Sequence, residues 1–143
     1  MADKTDGFTD SERAAMKARA AELRSAAKPG SKKVETERRA LLDAIAGMPG
    51  DEQAIANRVH EIVSDLAPDL LPKTWYGMPA WARDGKVGVF VKHASKFKMR
   101  YTEVGFTEEA HLDEGGIWPT VYAVTTMNDA VSEQLTELVK RVR

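Results

Sequence analysis

Between Lys73 and Tyr101 the chain concentrates rings and cations. Trp75, Tyr76, Met78 and Trp81 surround Pro79, and Lys98, Arg100 and Tyr101 close the stretch. The cations Lys73, Arg83, Lys86, Lys92, Lys96, Lys98 and Arg100 face one acid, Asp84. Aromatic and thioether groups line apolar pockets, while ammonium and guanidinium groups donate charge-assisted hydrogen bonds to anions. Trp75, Tyr76, Met78, Trp81, Lys98, Arg100 and Tyr101 are therefore the candidate ligand-binding residues, suited to a small planar, apolar or anionic molecule. A plainer reading stays open, in which the rings pack beneath helices and the lysines blunt exposed strand edges. Strict alternation would also put Trp75 and Trp81 on the face opposite Tyr76 and Met78, unless Pro79 causes a bulge.

A second constellation is acidic. Glu103, Glu108, Glu109, Asp113 and Glu114 accompany His111 with no cation among them. Hard oxygen ligands and an imidazole suit a divalent or ferric ion. Carboxylates in the first turn of a helix are, however, stabilised by its dipole without any metal.

Other chemistries find no foothold. The chain has no cysteine, which excludes disulfides, thiolate metal sites and cysteine nucleophiles. His60-Glu61 begins the helical zinc-protease signature, but Ser64 stands where its second histidine belongs. No nucleophile elbow, phosphate loop or dinucleotide fingerprint occurs, so no catalytic residue is assigned.

The 143 residues suit one domain, and a formal charge of −1 gives no overall pull towards nucleic acid or anionic lipid. Neither a signal peptide nor a membrane span is visible, and a soluble cytoplasmic protein is expected. The pattern leaves the oligomeric state open.

The elements that must position these residues can be read in order. Thr9 and Glu12 form a capping box that starts a helix near Asp10, with an alanine-rich apolar stripe. Residues 28–33 read as a basic linker, so residues 1–33 form an N-terminal helical extension. A second helix is expected from Val34 to Gly47. A third carries Ile55, Val59, Ile62 and Leu66 until Pro68. Pro79 confines the Trp75–Trp81 segment to an edge strand, a bulge or two short pieces. Asp84-Gly85 predicts a two-residue hairpin turn, followed by a strand with Val87, Val89 and Val91 on one face. A third strand over Phe97–Tyr101, a short helix over Glu108–Glu114 and a fourth strand over Ile117–Thr125 follow. Asn128 then belongs to the cap of a last helix carrying Val131, Leu135, Leu138 and Val142.

Ala67-Pro68-Asp69, Trp75-Tyr76-Gly77-Met78-Pro79-Ala80-Trp81 and Asp84-Gly85-Lys86-Val87 together resemble the YdhG-like family, small bacterial proteins of unknown function. The resemblance runs from about Leu41 to the C-terminal helix. It implies a compact α+β domain, and some members are described as frataxin-like iron chaperones. Iron would then be the cargo, with the acidic segment its candidate site.

The expected architecture is a single α+β domain over residues 34–143, preceded by the extension. Its four-stranded antiparallel sheet is covered by N-terminal helices and a C-terminal helix. The expected function is non-enzymatic binding at the aromatic and cationic sheet surface, with no resident cofactor. The alternative is an iron chaperone.

Overall fold

A computed structural model of the chain describes residues 8–26 and 30–143. Its sheet is a five-stranded antiparallel meander in chain order: β1 (Leu71–Trp75), β2 (Met78–Arg83), β3 (Lys86–Lys92), β4 (Thr102–Phe106) and β5 (Val121–Val124). The α+β class is as expected, but the strand count is five rather than four. The segment around Pro79, expected as an edge strand, a bulge or two short pieces, is two strands joined by the two-residue turn Tyr76–Gly77, and Pro79 itself lies within β2 opposite Thr74.

Both residues of that turn have positive φ, 55° and 81°, and Asp84–Gly85 repeats the pattern at 53° and 80°. Positive φ at both central residues makes a turn whose twist matches the flanking strands. Glycine supplies the second position freely in each case.

The third strand is also displaced. Phe97, Met99 and Tyr101 alternate in sequence, yet Ala94–Phe97 forms the one-turn helix α4 in this numbering, and Lys98 takes a left-handed conformation at φ 58°. Pairing resumes only at Thr102, as β4. The helix expected over Glu108–Glu114 shortens to a 3₁₀ turn, Glu108–Ala110. Its expected cap holds, since the Thr107 hydroxyl accepts from Glu109 N–H. The fourth expected strand narrows to β5.

Before the sheet come α1 (Asp10–Ala26), α2 (Gly30–Ala46) and α3 (Gly50–Leu66); after it comes α5 (Asp129–Lys140). The capping box at Thr9 and Glu12 forms reciprocally, at 2.8 and 3.0 Å. Asn128 caps α5 by accepting from Val131 N–H at 2.9 Å. Of the expected basic linker, residues 28 and 29 lie outside the described residues, while Gly30 to Lys33 begin α2. Among the described residues, no helix is long and apolar enough to cross a membrane.

One face of the sheet, with Trp81, Val89, Val91, Val104 and Phe106, packs on Leu41 and Ile45 of α2, Ile55 and Val59 of α3, and Leu135 of α5. A shift in register between Trp81 and Ala82 leaves Gly88 of β3 without a partner on β2. Val87 consequently does not join Val89 and Val91, but clusters with Ala80 and Ala82 on the opposite face. That second face also carries Trp75 and Phe90, and α1 lies against it.

Candidate functional site

The second face becomes a cleft of about 940 Å³ because α1 crosses only part of it. The floor is built by register. Trp75 stands opposite Met78, and Phe90 stands opposite both Ala80 and Gly105. Trp75 meets Phe90 edge to face at 5.6 Å and Tyr76 at 5.5 Å. Gly105 has no side chain, and the Phe90 ring fills the space its Cβ would take.

The far wall is α4 and its exit, which bring Phe97, Lys98 and Met99 to the cleft. Glu52 of α3 fixes α4 by accepting from Ser95 N–H at 3.2 Å and from its hydroxyl at 2.7 Å. The ammonium groups of Lys92 and Lys96 lie 5.4 and 5.8 Å from the centre of the Phe97 ring. Among the described residues, none of Lys92, Lys96, Lys98 and Arg100 has a carboxylate within ion-pair distance. Glu103 is the acid nearest in register, opposite Lys92 across β3 and β4.

The near wall is the first half of α1, with Ala15 and Met16, and Phe8 just before the helix. A buried carboxylate holds this helix in place. Glu22 accepts from Tyr76 N–H and Gly77 N–H, both at 2.9 Å, with Arg19 3.6 Å away and its guanidinium over the Tyr76 ring. These two N–H groups converge because the turn at Tyr76 and Gly77 has left-handed φ at both positions, an arrangement suited to anions. The stem of Lys96 packs over Gly77, where a Cβ would meet its Cε at 2.8 Å.

Of the seven sequence candidates, Trp75, Tyr76, Met78 and Lys98 meet in this cleft. Trp81 does not. It is fully buried on the opposite face, where its indole N–H donates to His60 Nδ1 at 3.2 Å. Arg100 and Tyr101 lie outside the lining and stack on each other, guanidinium to ring centre 5.4 Å. The cations also disperse: Lys73 is buried beside Glu37, and Arg83 pairs with Asp69 at 2.6 Å, which holds that carboxyl below the usual range. Phe97, Met99 and the α1 residues are lining residues the sequence did not single out. Phe97 and Met99 carried a strand-like alternation that concealed the helical turn α4 and the left-handed exit at Lys98. Met16 belongs to the alanine-rich apolar stripe of α1, but nothing local marks that stripe, or Phe8 before the helix, as the wall of a cleft.

Comparisons of the chain with protein-family models, with curated proteins and with solved structures found no match. The acidic segment spreads out: Glu103 sits at the cleft, Glu114 pairs with Arg141 at 3.3 Å, and His111 is exposed at left-handed φ. Among the described residues, no three His, Asp or Glu side chains gather where they could hold a metal ion.

Proposed function

We propose that this is a small binding protein whose ligand is an organic anion with an apolar, ring-bearing body. The body would lie on Trp75, Met78, Phe90 and Phe97, with the anionic group at Lys92 and Lys98. The observation that carries this reading is the pairing of an apolar cleft of ligand size with cations that have no carboxylate partner among the described residues. Pockets of several hundred Å³ with apolar walls and a few placed polar groups are the usual form of a small-molecule site. Methionines at 16, 78 and 99 add adaptable walls.

Titration with 1-anilinonaphthalene-8-sulfonate, against an uncharged naphthylamine of the same shape, tests the reading. The sulfonate should bind more tightly, weaken with salt, and lose affinity in Lys92→Gln and Lys98→Gln while the neutral dye does not. Equal affinity for both dyes, or unchanged binding in the variants, would sink the proposal. The iron-chaperone reading makes a different prediction. Anaerobic ferrous iron would then shift amide NMR signals across Glu103–Glu114 and leave Trp75, Phe90, Phe97 and Lys98 unmoved.

A further inference from the structure

The two edges of the sheet are finished differently. At one edge β1 carries Pro72 and Lys73, which discourage pairing, and α2 packs along it. At the other, β5 has β4 on one side only. Phe106 N–H donates to the Thr120 carbonyl at 2.8 Å, and Val104 is in register with Tyr122. Antiparallel bonding alternates along a strand, so Thr120, Tyr122 and Val124 turn their backbone groups to β4. Val121 and Ala123 turn theirs outward, and no backbone hydrogen bond from either reaches another element among the described residues.

The same segment lacks the usual guards of an edge. From Gly115 to Asn128 the chain holds no charged residue. Val121 is 46% exposed and Ile117 90% exposed. Pro119 lies before the strand and removes neither outward N–H. Free edge groups on an uncharged strand of β-formers are a template for another strand.

We propose that β5 is an interface for a second copy of this chain, paired antiparallel about a two-fold axis at Tyr122 so that the sheet continues across both protomers. Symmetry selects this occupant. In a two-fold strand pair each residue meets a copy of itself or of a near neighbour, so any charge would face a like charge. This strand has none. An axis at Tyr122 sets Val121 against Ala123 of the other copy, and the outward groups of each such pair exchange both N–H···O bonds. The strands are short, so the dimer is weak and depends on concentration.

Sedimentation equilibrium of the full chain, from micromolar to millimolar, tests this with two variants. Ala123→Pro removes an outward N–H but leaves the bonds to β4, and Val121→Lys sets a cation at an exposed position close to its two-fold mate. Wild type should dimerise as concentration rises, with slowed hydrogen exchange at Val121 and Ala123, while Val121→Lys keeps the wild-type melting transition and stays monomeric. If Ala123→Pro fails to fold, Val121→Lys alone carries the test. A wild type monomeric throughout the range overturns the proposal. So does dimerisation that survives in the folded variants, or a monomer that pairs instead with an added uncharged strand peptide.

Discussion

Trp81 Nε1–H donates to His60 Nδ1 at 3.2 Å, tying β2 to α3 inside the core, with the rings 6.1 Å apart and 27° from parallel. Indole nitrogen only donates, so the bond requires a neutral imidazole with its proton on Nε2. Burial, joined by the charge of Arg38 and opposed by Glu61, holds His60 below the ordinary value of 6.5. Burial also lowers His93, with Glu52 opposing and Lys96 adding to the shift.

Both imidazoles bind protons more readily in the unfolded chain, so unfolding is favoured once those protons are available. The contribution to stability is full above 6.5 and is lost as pH falls from there through the folded values. Urea unfolding measured on both sides of pH 6.5 should show this loss, and His60→Gln with His93→Gln should flatten it. At neutral pH, His60→Phe should cost about 1–3 kcal/mol, because the buried indole N–H loses its acceptor. A profile unchanged by the double substitution would show that the carboxylates alone set the acid limit.

Gly105→Ala tests the floor of the cleft. The new Cβ would overlap the Phe90 ring, which has Trp75 on one side and cannot stay where it is. Overpacking of this kind costs typically about 1–3 kcal/mol. Phe90→Leu should recover part of that loss, so a double-mutant cycle should be clearly non-additive. Additivity would place the two side chains apart in solution.

The elements written in local chemistry were legible in the sequence. The capping box at Thr9, the Asn128 cap and the Asp84–Gly85 turn each depend on a few adjacent residues, and each stands in the structure. The turn at Tyr76 was not legible, because tyrosine at positive φ goes against local preference and is held by partners distant in sequence, above all Glu22. Phe97 to Tyr101 misled for a related reason. Its alternation satisfies the strand period, whereas Glu52, far back in the chain, fixes the helical turn before it. The cleft combines both failures, since its walls come from α1, a turn and α4, which only the tertiary fold brings together.

Glu22→Ala should therefore act on α1 more than on the sheet. It removes the acceptor of two part-buried backbone N–H groups, each a loss of at most about 1–3 kcal/mol when left unpaired. Much of the apolar surface of α1 stays outside, with Leu23 57% exposed, so little else secures the helix. Hydrogen exchange should rise across α1 and the Tyr76–Gly77 turn while α3 and β3 keep their protection. Glu22→Gln, which retains one acceptor oxygen, should lie between. Uniform loss of protection across the chain would mean that α1 belongs to the global folding unit.

Lys73 is buried and Glu37 is partly buried, and their opposite charges stand 4.0 Å apart with no hydrogen bond between them. Glu37 Oε2 is inaccessible and has no hydrogen-bond partner among the described residues. Desolvating two charges is costly, and an attraction without a hydrogen bond offsets only part of that cost. Removing one partner leaves the other charge buried alone, so Lys73→Met or Glu37→Leu should each destabilise by about 3–5 kcal/mol. The double variant should return to wild-type stability or exceed it, since an apolar pair of similar volume has no charge to desolvate. Chemical denaturation of the four proteins measures this directly. If the double variant is as unstable as the singles, the pair contributes through packing of its stems against β1 and α2 rather than through its charges.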